Sequence, residues 1–264
     1  MDDLNLSEWL HILTRWIHIF AGILWIGSTW YFTWLDRTME HEKGQVWMVH
    51  SGGFYEVNKQ QKPAAGRHLY WFKWEAAFTW LTGITLLVLV YYLGGLMVSA
   101  EVREMSDGAA AAISLGVLVG AWFLYDLLWL SPLGRNEWAG AAISYVLAVA
   151  ATYALHLVFA PRAAYMQMGA LFGTLMAANV WVRIIPAQRA MVAAASSGGE
   201  PDAALAARAK GRSRHNTFMV IPVIFTMIGS HFPVTTYGHD YNWIVLSVLI
   251  GLGWIVAGLI RGRV

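Results

Sequence analysis

The sequence predicts an all-α fold: a polytopic membrane helix bundle of about seven spanning helices with its N-terminus outside. Three observations predict it. Of 264 residues, 58% are hydrophobic and 13% charged, and the mean hydropathy is +0.48, values outside the range of soluble domains. Apolar runs recur at lengths near the roughly 20 residues that a helix needs to cross a hydrocarbon core. Lys and Arg collect in alternate connecting segments, the asymmetry that orients a membrane protein.

In chain order the runs are Trp9–Trp34, Trp74–Val98, Ala110–Leu130, Trp138–Ala160, Ala164–Ile185, Asn216–Phe232 and Trp243–Ile260. The sixth is short and carries Pro222, which cannot donate to the helical ladder, so a kink is expected there. Two longer segments separate the runs. Leu35–Lys73, with "HSGGFYEVNKQQKPAAGRH", mixes aromatics, glycine and charge and reads as a loop able to cover a site. Pro186–His215 reads as a Gly/Ser break followed by a short Ala-rich surface helix starting near Pro201. The first holds Arg37, Lys43, Lys59, Lys62, Arg67 and Lys73, and the second Arg189, Arg208, Lys210, Arg212 and Arg214. Arg135, Arg261 and Arg263 fall on the same side; the opposite loops offer Arg103 and Arg162, and the chain starts with Asp2 and Asp3. Both long segments are therefore expected in the cytoplasm, the N-terminus outside and Val264 inside, within a single membrane domain over 1–264. No internal repeat is evident.

No removable signal peptide is expected, because a basic start with a short apolar core and a small-residue cleavage site is missing. Zero cysteines exclude disulfides, Cys-ligated zinc, iron–sulfur clusters and covalent c-type haem attachment within these residues. The formal charge of +2 gives no reason to invoke nucleic acid, and fifteen Trp fit aromatic belts at the bilayer interfaces.

An imidazole within the bilayer is costly, so it faces a partner or a cavity. His18 lies in "WIHIFAGILWIG", with Arg15, Gly22, His11 and Trp25 on its helical face. Two readings stand. His18 hydrogen-bonds a neighbouring helix while Gly22 permits close packing, or His18 ligates a haem b for which Gly22 leaves room. His156 and His231 at the outer ends of two other helices favour the second, with His18 and His231 the preferred pair. His215 and His231 lie sixteen residues apart on one helix, roughly 24 Å by helical rise but rotated about 160°, which argues against a simple two-haem stack. Among other embedded polar residues, Lys73 and Arg183 read as snorkelling or structurally paired. Glu75 and Asp126 are carboxylates at the inner mouth, able to move protons or hold a substrate N–H.

The segments "TRWIHIFAGILWIGSTWYFTWLD", "HSGGFY", "WFKWEA", "GALFGTLMAANVWVRIIPAQ" and "RSRHNTFMVIPVIFTMIGSHFP" occur in this order over nearly the whole chain. Together they resemble the N-terminal membrane domain of the bacterial membrane-bound urate oxidase (urate hydroxylase) family. The resemblance implies oxidation of urate to 5-hydroxyisourate, with electrons passed to a periplasmic or membrane-anchored cytochrome c; the outer-side histidines add one or two haem b groups as the expected carrier. His18, His50, Trp71, Lys73, Glu75, Asn179, His215, Asn216 and His231 fall on the family's motif positions. From these positions together with depth in the bundle, His18, His231, His156 and His50 are expected to bind the cofactor, His18 and His231 as metal ligands, and Lys73, Glu75, His215 and Asn216 at the inner end to carry catalysis. Trp71 adds an aromatic face for a flat purine anion. The resemblance departs at Tyr70 and Gln167, where the family's pattern has His, and a ligand there would be lost. Two other readings remain: a haem b electron-relay subunit between a soluble dehydrogenase, a quinone and a cytochrome, and a non-redox transporter or assembly factor. All three place the chain in the inner membrane of a bacterium.

Overall fold

The computed structural model describes residues 5–263 apart from 43, 61 and 65, so Asp2, Asp3 and Lys43, used in the charge argument, lie outside the described residues. Among the described residues seven long helices alternate in direction: α1 Leu6–His41, α2 Trp74–Tyr92, α3 Asp107–Leu130, α4 Glu137–His156, α5 Pro161–Ser196, α6 Ala203–Gly229 and α7 Asn242–Arg263. Among the described residues, six are long and apolar enough to span a membrane. The exception is α6, whose first half carries Arg208, Lys210, Arg212 and Arg214 and whose second half runs into the bundle. The protein is a multi-pass membrane helix bundle.

Several boundaries move for identifiable reasons. Helix α1 is 36 residues long, about 54 Å by helical rise, because Asn5 caps it from Glu8 N (3.3 Å) and nothing breaks it before His41. Helix α2 ends at Tyr92, before the expected Val98, after a π-helical turn over Leu87–Tyr92. Gly94 and Gly95 stop it: Gly95 has φ +67°, and a Cβ on Gly94 would sit 3.0 Å from the Val90 carbonyl carbon. Helix α5 starts with Pro161 in its first turn and continues to Ser196, well past Ile185. The expected separate surface helix near Pro201 is the beginning of α6. Asp202 caps it from Ala204 N (2.7 Å), and Ala, Leu, Arg and Lys carry the helix into the membrane half without a break.

The expected loop between α1 and α2 contains an antiparallel hairpin, β1 Gln45–His50 and β2 Gly53–Asn58, with His50 opposite Gly53. Ser51 and Gly52 both have positive φ (49° and 77°), the mirror-image two-residue turn that matches strand twist. Val46 is buried, and the hairpin packs through it on Leu35 and Met39 of α1.

Helix α5 occupies the centre: 61% of its spanning window is buried, against 17–28% for the other five candidate spans. Helices α3, α6 and α7 supply Leu118, Val220, Leu246 and Ile250 to the core with it. Helix α1 lies at the edge, packed chiefly on α2, with Trp16, Ile19, Phe20 and Ile23 exposed. That outward apolar face suits lipid.

Candidate functional site

At the hairpin end of the bundle, α3, α5 and α6 each direct polar side chains into the core. Helix α6 presents Arg212, His215 and Asn216, three and four residues apart and so on one face. From α5 come Asn179 and Arg183 in a π-helical turn over Asn179–Ile184, and from α3 come Tyr125, Asp126 and Trp129. Asn179 is fully buried, and Asn216, Arg212, Asp126 and Tyr125 nearly so. Buried polar groups on this scale must satisfy one another.

They do so in two linked sets. Asn216 Nδ2 donates to the Met176 carbonyl (3.1 Å), which turns Asn216 Oδ1 to accept from Asn179 Nδ2 (2.9 Å). Asn179 Nδ2 also donates to Tyr125 Oη (2.9 Å), whose hydroxyl lies 2.7 Å from His215 Nδ1. Among the described residues His215 Nδ1 is the acceptor within reach of the Tyr125 hydroxyl, so with a neutral imidazole the Tyr125 proton goes to Nδ1 and the ring carries its own proton on Nε2. In the second set Asp126 accepts from Arg183 Nε (2.9 Å) and from Arg212 (2.8 Å), and the Arg212 guanidinium lies 4.9 Å from the Tyr125 ring centre. Asp126 therefore acts as the counter-ion of two arginines and has no free oxygen for a substrate N–H.

Two cavities meet at this network. One, of about 380 Å³, faces the hairpin end and is lined by Arg135, Arg183, Arg208, Arg212 and Arg214, with Glu137 as the single carboxylate of its lining. The other, of about 780 Å³, runs along α3, α4, α6 and α7 and is mainly apolar. Trp129, Glu137, Arg214 and His215 line both. Trp129 stands against His215 with ring centres 4.0 Å apart and donates to Ser144 Oγ (3.2 Å). Gly140 allows this, since a Cβ there would lie 2.8 Å from the indole.

Of the expected catalytic residues, His215 and Asn216 come together here, His215 in the cavity wall and Asn216 behind it. Lys73 and Glu75 line neither cavity; the Lys73 ammonium sits 5.3 and 5.8 Å from the ring centres of Trp74 and Trp181. The expected cofactor histidines are dispersed. His18 Nδ1 donates to the Thr79 carbonyl (2.9 Å), level with the middle of α2, and its Cε1 is 3.0 Å from where a Cβ on Gly83 would be. Gly83, not Gly22, makes room at His18, and the room is taken by the imidazole. His156 Nδ1 is buried without a protein partner, His231 is exposed at the end of α6, and His50 Nδ1 bonds Ser51 Oγ (2.8 Å) in the hairpin turn. None of the four lines either cavity. The two departures from the motif pattern have different fates. Gln167 is fully buried, accepting from Ser114 Oγ (2.7 Å) and donating to Ser114 O (3.0 Å), while Tyr70 is exposed.

Tyr125, Trp129 and Arg212 did not stand out in the sequence. Their signal is helical spacing: Tyr125 and Trp129 are four apart on α3, as Asn179 and Arg183 are on α5.

The fold and site thus define a multi-pass membrane helix bundle whose basic end encloses a buried Tyr–His–Asn network beside an anion-attracting cavity. The chain matches the urate oxidase N-terminal family over residues 4–261 and belongs to that family. No curated protein and no solved structure matches it.

Proposed function

We propose that the protein is a membrane-bound oxidoreductase of the bacterial inner membrane that binds a urate-like purine anion in the basic cavity and oxidises it. The observation that carries this reading is the shared enclosure of Trp129, His215 and five arginines in a cavity of about 380 Å³, within the range of small-molecule sites. Urate is flat, electron-rich and anionic. The Trp129 indole offers a stacking face, the arginines a positive potential, and His215 Nε2–H a donor to an oxygen or ring nitrogen of the anion. Oxidation to the 5-hydroxy product takes up one water and releases two electrons and two protons. Glu137, beside Arg214 in the same lining, is placed to receive a proton.

In this reading a haem b is the electron carrier and a cytochrome c its partner. Among the side chains, His18 fits an axial ligand in its chemistry: its Nδ1–H is fixed on a backbone carbonyl, the arrangement that leaves Nε2 free for iron. His156 Nδ1, buried and unpartnered, is a second available nitrogen. Such a haem would accept electrons one at a time when bound.

Purified protein mixed anaerobically with urate and ferricyanide, an acceptor that needs no protein partner, should consume urate. His215→Asn should lower the turnover by about 10²- to 10⁴-fold, the range for loss of a proton-handling group. Failure of the wild-type protein to bind or consume urate sinks this reading and leaves the electron-relay alternative. A reduced-minus-oxidised spectrum of wild type and His18→Ala reports the haem separately.

A further inference from the structure

We infer that the hairpin of β1 and β2 is seated in the lipid surface at the basic end of the bundle, with Trp47, Val49 and Phe54 set among the headgroups and first methylenes of that leaflet. This placement is independent of the purine site. The three side chains share one face, because Trp47 and Val49 are two apart on β1 and Phe54 is the register partner of Val49. They are 66%, 70% and 81% exposed. Val46, on the opposite face, is buried against Leu35 and Met39 of α1. A contiguous exposed patch of this kind marks a membrane or another protein as its partner.

The level of the hairpin on α1 favours the membrane. Between Arg15 and Asp36 the helix carries no Asp, Glu, Lys or Arg, a stretch of about 30 Å by helical rise that matches a hydrocarbon core. Asp36, paired with Lys59 and Lys210, marks the water side. The hairpin starts beyond that mark, where Gly44 N donates to the Met39 carbonyl (2.8 Å), and then folds back along α1. Val46 packs on Leu35 and Met39, and farther along β1 the Met48 Sδ accepts from Tyr31 Oη (3.5 Å). Tyr31 is about 7 Å by helical rise on the membrane side of Asp36. It follows Phe20 by about three turns on the exposed apolar stripe of α1, so the hairpin continues a surface that faces lipid.

Polarity along the hairpin sets its depth. A two-stranded ribbon leaves one edge of each strand unpaired, and those N–H and C=O groups are too costly for the hydrocarbon core. Headgroup level satisfies them and suits Trp and Phe side chains. Toward the base Asn58 Nδ2 donates to Glu56 (3.0 Å), and at the turn His50 Nδ1 and Ser51 Oγ bond each other at 2.8 Å. The apolar patch lies between these two polar ends. Phe32, next to Tyr31, stacks edge-on with Phe72 at 4.8 Å between ring centres, which adds aromatic rings at the same level.

The sequence has no cysteine, so a single nitroxide can be attached at Phe54→Cys, or separately at Val49→Cys, in the full chain reconstituted into phospholipid vesicles. Power saturation then compares relaxation by oxygen, which concentrates in lipid, with relaxation by a water-soluble nickel chelate. Ile23→Cys on the lipid-facing stripe and Glu42→Cys beyond Asp36 serve as references for hydrocarbon and water. The oxygen-to-nickel ratio at both hairpin positions should exceed that at Glu42→Cys several-fold and stay below that at Ile23→Cys. A ratio equal to that at Glu42→Cys places the face in water. Protection from both reagents places it under a second copy of the chain. Either result overturns the proposal, and the two label positions guard against a local distortion at one of them.

Discussion

Asp126 holds the partly exposed Arg183 and the buried Arg212 together, and for Asp126 and Arg212 a lone charge would be very costly. Arg212 in turn lies over Tyr125, so the ion pairs and the Tyr–His–Asn chain share one scaffold. Asp126→Ala leaves two guanidinium groups facing each other and should destabilise the bundle by about 3–5 kcal/mol. A lower thermal midpoint in detergent is the expected readout, and an unchanged midpoint would show that water replaces the carboxylate. The sequence marked Asp126, Asn179 and Arg183 as polar residues in apolar runs, and His215 and Asn216 where the sixth run begins, but did not pair them. An isolated carboxylate and an ion-paired one look alike until the neighbouring helix is placed.

Between elements, close approach is decided by single small residues. Gly140 of α4 faces the Trp129 indole of α3, and the same indole divides the two cavities. Gly140→Val should force the ring from its position at a cost of about 1–3 kcal/mol for overpacking. Urate binding should weaken along with the thermal midpoint; normal binding in a destabilised variant would separate Trp129 from the site. Gly83 plays the matching part for His18 on α2. The sequence drew attention to Gly22 because it shares a helical face with His18, but a Cβ on Gly22 would meet only Thr79, at an ordinary 3.8 Å. The hairpin was legible in "HSGGFY", where a two-residue turn joins alternating strands, but the aromatic and charged composition around it read as a loop.

At the scale of the whole molecule, the alternating helices gather the hairpin, the start of α6 and the end of α7 at one end, where Lys210 pairs with Asp36 (2.8 Å) and Arg37 reaches the Gly262 carbonyl (3.4 Å). The excess of Lys and Arg at that end predicts that it faces the cytoplasm. A reporter fused after Val264 should be active only in the cytoplasmic compartment. Activity confined to the periplasm would invert the orientation and place the basic cavity outside.

Hydropathy by itself determined that these residues make a multi-pass helical bundle of about seven helices, because burial in lipid is a property of successive residues in one chain segment; it missed the reach of α5, which runs on to Ser196, and the start of α6, which begins at Ala203. The motifs also carried the family. Packing decided the site. Tyr125 and Asn179 are separated by 54 residues and Tyr125 and His215 by 90, yet they share hydrogen bonds. Which imidazole meets which hydroxyl depends on the rotation and crossing of α3, α5 and α6, fixed by small residues and by the π-helical turn at Asn179. Those are interactions between faces, and a one-dimensional pattern of apolar residues does not contain them.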